Sequence, residues 1–185
     1  RRIGIRPLSR LRRGGTGIGD HRGMPTPEFV LALRAKIGTD LLPMTGVTGV
    51  VRDRAGRVLL GRRSDTGHWA LPSGIIEPFE EPAGALFREI QEETGVTATV
   101  DALVAVAAMG EEVIYPNGDR ATYLDLTFAC TYVSGEARPG DGENTQVGWF
   151  ELDALPPLRP SSTFRLQRAL EYAGVTWFAP APGDA

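Results

Sequence analysis

Short runs of apolar residues, several of them alternating with polar ones, occupy much of the chain and are typical of β-strands. They are rich in Val, Thr and aromatic residues, and they predict strands over 45–52, 57–62, 96–108, 122–133 and 146–151. Turn residues at 53–56 and 116–119 separate neighbouring runs. Much of the chain is therefore expected to form a sheet.

Three further segments are predicted to be helices, over 26–38, 81–94 and 161–174. In the first, Thr26 can cap the amino terminus, and Gly38 can end the helix. The segment 69–79 holds two prolines and a glycine, so it is expected to be a loop. Several strands with two or three helices predict an α/β fold, with a mixed sheet covered by helices on both faces.

Composition bounds the folded part of the chain. With 185 residues and 42% apolar content, the chain has the size of one ordinary domain, which is predicted over 24–178. Residues 1–23 hold seven arginines and one acid without a regular period, so they are predicted to be a disordered leader, and 179–185 a disordered tail. Met24 could be the translational start; an Arg-rich nucleic-acid arm and an organelle transit peptide are the alternatives for the leader.

Charge and cysteine content narrow the partners and the compartment. After residue 23 the chain has 13 basic and 22 acidic groups, so a nucleic-acid partner is not expected. The single cysteine, Cys130, excludes an intrachain disulfide and is compatible with a reducing compartment. No apolar run approaches the roughly 20 residues that span a membrane. We therefore predict a cytoplasmic protein that binds no membrane.

The helix predicted over 81–94 is unusually acidic on one side. Because a helix turns by about 100° per residue, Glu89, Glu92 and Glu93 share one face. An apolar side is expected to dock on the sheet and consists of Ala83, Leu86, Phe87 and Ile90. Carboxylates that share a face repel one another, and a hard divalent cation such as Mg²⁺ relieves the repulsion. The alternative is a solvated acidic surface.

The residues around these acids decide between the two interpretations. The segment 74–96 has the spacing G-x5-E-x7-R-E-U-x-E-E-x-G-U, where U is apolar. Its nine specified positions are Gly74, Glu80, Arg88, Glu89, Ile90, Glu92, Glu93, Gly95 and Val96. On these residues the chain resembles the Nudix hydrolases, similar to MutT-like and ADP-ribose pyrophosphatase-like bacterial members, over about 44–156.

The resemblance implies an α/β/α sandwich with a mixed sheet and cleavage of a nucleoside diphosphate linked to another moiety, assisted by Mg²⁺ or Mn²⁺. By position in the signature, Glu92 and Glu93 would be metal ligands, and Glu89 a ligand or the general base. Arg88 would hold the glutamates in place. Glu80 would support the loop or a second metal, and Gly74 and Gly95 would shape the two ends.

Residues outside the signature are candidates on weaker grounds. The carbonyl of Ser73 is a candidate metal ligand, and Glu143 resembles the family's downstream ligand or base, with a solvated loop acid as its alternative. The resemblance implies that Arg62 or Arg63 contacts substrate phosphate, with an exposed pair at the end of a strand as the alternative. Phe79 stands where relatives commonly have glycine, so the loop there is expected to differ in shape.

Several side chains are expected to have ordinary roles. Trp69 and Cys130 are predicted to pack in the interior, and His68, Glu111 and Glu112 to lie on the surface. Asp119 is predicted to be a turn residue and Asp125 a strand-face residue. Tyr115 or Phe128 could stack on a nucleobase, although no spacing selects either one.

The substrate is less defined than the reaction. A small-molecule nucleotide of the ADP-ribose kind is favoured, and a (d)NTP pyrophosphohydrolase is the alternative. A non-catalytic nucleotide-sugar sensor on the same fold is a second alternative, although the intact carboxylates argue against it. An isomerase or an RNA-directed enzyme of the superfamily is disfavoured by the core-like Cys130 and the acidic domain. A homodimer is compatible with the family.

Overall fold

The computed structural model describes residues 26–109 and 112–180, so the predictions for residues 1–23, for Glu111 and for most of the 179–185 tail lie outside the described residues. The helices are α1 (Glu28–Ile37), α2 (Pro82–Thr94) and α3 (Pro160–Leu170). The strands are β1 (Leu42–Arg52), β2 (Val58–Arg63), β3 (Trp69–Ala70), β4 (Ser73–Ile75), β5 (Val96–Ala108), β6 (Val113–Ile114), β7 (Arg120–Gly135), β8 (Asn144–Phe150) and β9 (Trp177–Phe178).

The strands form one mixed sheet in the order β3-β2-β1-β7-β5-β9. The central pair, β1 and β7, is parallel along the whole of β1, and β7 pairs with β5 in antiparallel fashion. Off this path, β4 pairs with β1, β6 with β7, and β8 with β2. The predicted mixed sheet is confirmed.

Alternate residues of β1 face opposite helices. Val47 and Val51 belong to the apolar cluster that contains Leu86 and Ile90 of α2. Val50 belongs to a second cluster, which contains Leu166 of α3. Because successive side chains of a strand point to opposite faces, α2 and α3 cover the two sides of the sheet. The sandwich is therefore built around β1, and each fully buried Leu or Ile contributes about 1.5–3 kcal/mol to its stability.

The structure differs from the predicted elements in a few places. The segment 69–79, predicted as a loop, contains β3 and β4, because β4 finds pairing partners on the distant strand β1. The last helix ends at Leu170 rather than at residue 174. Thr26 does not cap α1, whose first flanking residue is Pro27, whereas Gly38 ends the helix as predicted.

The packing side of α2 is also rotated from the prediction. Phe87 is 41% exposed, and Ala83 is exposed too, so neither docks on the sheet. The buried side contains Ala85, Leu86 and Ile90, followed by Glu93 and Thr94. This rotation turns Glu93 into the interior, so one acid of the helix lies in its packing face. No helix in the described part of the chain has both the length and the apolarity needed to cross a bilayer.

Candidate active site

Glu89 lies directly against the backbone of β4. A Cβ atom added to Gly74 would lie 2.0 Å from Cδ of Glu89, so no other residue type fits at position 74 without displacing the carboxylate. Burial raises the pKa of Glu89 to about 7, against the opposing effect of Arg88. The glycine of the signature is thus explained by close approach of a side chain, and not by an unusual backbone angle.

Glu93 is the most deeply buried of the acids, with 3% of its surface exposed. Its Oε1 atom accepts no hydrogen bond from the described residues, and Nη1 of Arg63 stands 4.0 Å away. Burial raises the pKa of Glu93 well above its usual value, and the charges of Glu143 and Glu89 raise it further. A buried carboxylate oxygen without a partner is costly unless something else binds it.

Arg88 connects three of the signature glutamates. Its Nε and Nη2 atoms donate to the two carboxylate oxygens of Glu80, both at 3.0 Å. Its Nη1 atom donates to Glu89 at 2.9 Å and to Glu92 at 3.1 Å. The hydrogen bond from Arg88 lowers the pKa of Glu80. This geometry is what the predicted bracing role of Arg88 requires, because one guanidinium compensates several carboxylates at once.

Glu143 reaches the same site from the other side of the fold. It is 7% exposed, and its Oε2 atom accepts a hydrogen bond of 2.9 Å from Nη1 of Arg63. Burial raises the pKa of Glu143, while Arg63 lowers it. The fold therefore brings the predicted downstream acid close to Glu93, with Arg63 between them.

The loop before Glu143 is attached to the carboxyl end of α2. The amide of Arg138 donates to the carbonyl of Thr94, and that of Gly140 donates to the carbonyl of Glu93. A Cβ atom at Gly140 would lie 1.8 Å from the carbonyl oxygen of Glu92. The importance of Gly140 could not be predicted from the sequence, because it depends on contact with a helix about 50 residues away.

A cleft of about 650 Å³ opens beside Ser73 and Gly74, on the α3 side of the sheet. Its volume is in the range of small-molecule sites. Ser73 lines the cleft and does not have a positive φ, so its backbone conformation is one that a residue with a side chain adopts without strain. The remaining lining residues include Thr48, His68, Trp69, Met109, Tyr123, Asp125, Arg159 and Arg165.

Arg62 and Arg63 occupy different environments. Arg63 lines the cleft, but its guanidinium also pairs with Glu143 and, at 3.2 Å, with Asp65. Arg62 is not part of the cleft wall, and its Nε atom donates to the carbonyl of Gly67. Of the two predicted phosphate contacts, only Arg63 is near the site.

The other side chains mostly have the ordinary roles that were predicted. Cys130 is buried in the core, and Trp69 packs edge-on against Phe150. Phe128 is also buried in the core, so it cannot stack on a nucleobase. His68 and Glu112 are exposed, and Asp119 pairs with Arg34 in the predicted turn. Asp125 is a strand residue as predicted, but it is buried and carries an ion pair with Arg165 that the sequence does not indicate.

Comparison with known proteins decides the family. The model of the NUDIX domain matches residues 42–170, which is more than half of the chain. The chain belongs to the Nudix family. Nudix hydrolases act on pyrophosphate bonds of nucleotide-containing compounds, so the predicted family, fold and enzyme class are confirmed.

Individual relatives of this Nudix chain carry several names. A MutT-like protein of Streptomyces ambofaciens is 36% identical over 72% of this chain and 80% of its own length. An ADP-ribose pyrophosphatase of Methanocaldococcus jannaschii is 31% identical over 64% of this chain and 68% of its own. An RNA pyrophosphohydrolase of Acidiphilium cryptum is 42% identical over 65% and 84%. A solved MutT Nudix hydrolase from Burkholderia pseudomallei is 29% identical, with a TM-score of 0.56 over 69% of this chain and 98% of its own.

Nudix hydrolases generally need divalent metal ions, and the acids of this Nudix site are compatible with one. Among residues 26–109 and 112–180, no three acids already converge closely enough to form a preformed metal centre. The buried Oε1 of Glu93 nevertheless lacks a partner, and burial opposes the charge of Glu89 and Glu143 as well. Carboxylate and carbonyl oxygens are the donors that hard cations prefer. The carboxylates of Glu89, Glu93 and Glu143 therefore fit a divalent ion that prefers oxygen ligands, and such an ion would draw them together.

Proposed function

We propose that this Nudix hydrolase holds Mg²⁺ or Mn²⁺ between α2 and the loop before β8, and that it cleaves an ADP-ribose-like nucleoside diphosphate bound in the adjoining cleft. The observation that carries the proposal is the unpartnered, buried carboxylate oxygen of Glu93. A folded protein retains such a group at a cost of about 1–3 kcal/mol, so a function for it is expected. A metal ion bound there would give this oxygen the close contact that no hydrogen bond from the described residues supplies.

Each signature residue has a proposed role that follows from its position. Glu92 and Glu93, with the carbonyl of Ser73, are the proposed ligands, and Glu89 and Glu143 are further ligands or proton acceptors. Arg88 keeps Glu80, Glu89 and Glu92 in place through the four hydrogen bonds described above. Gly74 leaves room for the Glu89 carboxylate, and Gly95 ends the helix with a left-handed φ of 68°.

A bound divalent ion supplies charge neutralisation at the diphosphate and a water of lowered pKa. This chain's own residues then orient the substrate and accept a proton. Glu89 and Glu143 are the proposed proton acceptors, and the proposal is supported by the effect of both charges on the pKa of Glu93, which they raise. A general base contributes about 10²–10⁴-fold to a rate. Replacing whichever of the two glutamates acts as the general base should therefore lower kcat by about that factor.

The substrate class is supported by the cleft and by one relative. A cleft of about 650 Å³ accommodates a nucleoside with a second group attached to its diphosphate. The relative named ADP-ribose pyrophosphatase is 31% identical. The relative named RNA pyrophosphohydrolase is 42% identical, and it makes an RNA-linked pyrophosphate the second candidate. Nucleoside triphosphates are the third candidate, in line with the MutT-like relative.

The direct test is a substrate panel in the presence of Mg²⁺ or Mn²⁺, with product identification. AMP with a sugar phosphate identifies an ADP-ribose-like substrate, and a nucleoside monophosphate with pyrophosphate identifies a triphosphate. Release of pyrophosphate or phosphate from RNA would favour the second candidate. A nucleotide that binds and stays intact with metal would contradict the enzyme and favour the sensor.

We predict that Glu93→Gln lowers turnover by at least about a thousandfold, because it removes the charge of the most buried proposed ligand while preserving its shape. Glu81→Gln is the matched control. Glu81 flanks the start of the same helix, makes no capping hydrogen bond through its side chain and is exposed. Its turnover should equal that of the unaltered protein. Unchanged turnover in Glu93→Gln would refute the assignment of the site.

A further inference from the structure

The cations that line the cleft are not equally available to a substrate. Three arginines contribute to its wall, namely Arg63, Arg159 and Arg165. Arg63 is engaged by two acids of the site, Glu143 and Asp65. Arg88, on α2, is engaged by three glutamates. The two arginines nearest the carboxylates, Arg63 and Arg88, are therefore already paired with acids of the protein.

Arg165 is held in place by a buried acid. Its Nε and Nη2 atoms donate to the two oxygens of Asp125, at 3.0 and 2.9 Å. The same two oxygens accept hydrogen bonds of 2.7 Å from the hydroxyl groups of Thr48 and Thr127. With four donors around it, Asp125 has no strong acceptor position left for a ligand. Its role is to fix the guanidinium of Arg165.

The opposite edge of Arg165 is open. The Nη1 atom and the second N–H of Nη2 make no hydrogen bond to the described residues, and the side chain is 16% exposed where it lines the cleft. A guanidinium edge presents two parallel N–H donors, whose spacing matches two oxygens of a phosphate. Arg165 is thus prearranged to bind an oxyanion without losing side-chain freedom on binding.

This edge lies close to the Nudix signature. Thr48, which bonds to Asp125, is the direct pairing partner of Ser73 in the β1–β4 ladder. Paired residues of antiparallel strands have Cα atoms about 4.5–5.5 Å apart. Ser73, whose carbonyl is a proposed metal ligand, and Gly74 line the same cleft as Arg165. A diphosphate bound beside Ser73 would therefore share this cleft with Arg165.

Arg159 immediately precedes α3, six positions before Arg165. It is exposed, it lines the cleft, and none of the described residues forms a hydrogen bond or ion pair with its guanidinium. Its charge is therefore uncompensated. Arg159 and Arg165 both lie on the cleft wall that faces Ser73.

We infer that Arg165, fixed by Asp125, and Arg159 bind the phosphoryl oxygens of the substrate that face away from the metal. The inference rests on the proposed function, because it takes the diphosphate to be held beside Ser73. It moves the phosphate contact from the end of β2, where Arg62 or Arg63 was expected to supply it, to the middle of α3 and the residue that precedes this helix. Asp125 is a positioning residue in this arrangement, since its oxygens do not touch the substrate.

The inference is tested by steady-state kinetics of Arg159→Gln and Arg165→Lys on the nucleotide that the unaltered enzyme cleaves. Each variant loses a charge-assisted contact with the substrate that is equally strong in the ground state and in the transition state. KM should therefore rise about tenfold or more, while kcat should stay within about twofold. Lysine at 165 still compensates Asp125 but lacks the second parallel donor. Arg54→Gln removes an exposed charge from the β1–β2 turn, and its KM should not change.

Binding of inorganic pyrophosphate with Mg²⁺, measured by calorimetry, tests the contact without requiring turnover. Affinity should fall about tenfold in Arg159→Gln and in Arg165→Lys, and it should be unchanged in Arg54→Gln. Equal affinities in all four proteins would overturn the inference. If the unaltered protein binds pyrophosphate but cleaves no nucleotide, the proposed function fails while the phosphate contact stands.

Two further outcomes separate phosphate binding from other roles. If Arg165→Lys lowers kcat and thermal stability while KM is unchanged, the pair with Asp125 is structural, and the inference is overturned. If the rise in KM depends on which base the nucleotide carries, Arg165 contacts the base rather than the phosphate, and the phosphate assignment is overturned. A rise that is the same for every base supports it. Arg159→Gln remains informative throughout, because an exposed side chain without partners can be replaced without unfolding the protein.

Discussion

At the scale of single residues, Phe79 is the clearest departure from local preference. It has a φ of 70°, which no other non-glycine residue among those described adopts, and its side chain is fully exposed. A left-handed conformation costs a residue with a Cβ about 1–2 kcal/mol. The resemblance led us to expect glycine at this position, and the φ of Phe79 is one that glycine adopts without steric cost. Phe79 adopts it under strain.

Phe79→Gly should therefore stabilise the protein. The exposed ring contributes no packing, and the relief of strain exceeds the extra entropy of glycine in the unfolded chain, so a gain of roughly 0.5–1 kcal/mol is expected. Chemical denaturation measures this gain in the free energy of unfolding.

Gly95→Ala is the opposite case, because position 95 has a φ of 68° and a Cβ there would lie 3.0 Å from the carbonyl of Glu136. It should destabilise by about 1–2 kcal/mol; a gain there, or a loss in Phe79→Gly, would contradict the argument.

At the scale of elements, α2 is both a packing helix and a carrier of carboxylates. Leu86 and Ile90 reach so close to β1 that a Cβ at Gly49 would lie within 3.2 Å of both side chains. Glu89 touches Gly74 on β4 in a similar way. The helix is therefore fixed against two strands by small residues, and this contact sets the depth of the carboxylates.

Gly74→Ala tests that contact. The new methyl group would collide with the Glu89 carboxylate, which would have to move by an ångström or more, and such a displacement lowers kcat by about a hundredfold. Gly84→Ala is the matched control on the same helix, since a Cβ at Gly84 meets nothing within 4 Å. It should keep full activity and gain about 1 kcal/mol in stability, because alanine favours the helix. Equal activity of the two variants would show that the contact is unimportant.

The elements show how far the sequence predicts the fold. Periodicity places the long strands and all three helices, since it depends on neighbours a few residues apart. It does not predict β4, because Ser73–Ile75 pairs with β1 and lies between two prolines. It also assigns Phe87 to the interior, since hydrophobicity alone does not show that Glu93 takes the buried position. Errors of this kind arise where a distant partner overrides the local preference.

The candidate site likewise contains residues that local spacing predicts and residues that only the fold brings together. The acids of α2 are apparent because helical spacing brings them together within 81–94. Glu143 could only be suggested from the family resemblance, and the structure places it beside Arg63. The pair of Asp125 and Arg165 has no signal in the sequence. Its members lie 40 residues apart on a strand and a helix, and only the packing of α3 on the sheet joins them.

At the scale of the whole molecule, the site is a concentration of buried negative charge. Glu89, Glu93 and Glu143 each have a pKa raised by burial, and the charges of neighbouring acids raise each pKa further. Arg63 and Arg88 offset only part of this charge. The protein without metal is therefore expected to be less stable than its core alone would allow.

Saturating Mg²⁺ should consequently raise the melting temperature by about 5–10 °C, as expected for a ligand at roughly a hundred times its dissociation constant in a chain of this size. Glu93→Gln should melt higher than the unaltered protein when a chelator is present, because it removes a buried charge, and Mg²⁺ should shift it little. Differential scanning calorimetry measures both. A Glu93→Gln protein that melts lower in chelator would refute the view that this carboxylate destabilises the fold.

The parallel pairing of β1 with β7 also affects how the molecule assembles. Each residue of β1 lies opposite one that follows 79 positions later, and Thr48 lies within this pairing opposite Thr127. A chain must close a long loop before such contacts repay the entropy, so folding is slow relative to helical proteins of similar stability. The helix that carries the acids depends on local contacts, so we expect it to form before the central strands pair. The cleft, with Asp125 and Arg165, exists only after the central strands have met, so the ability to bind nucleotide should be among the last properties to appear during refolding.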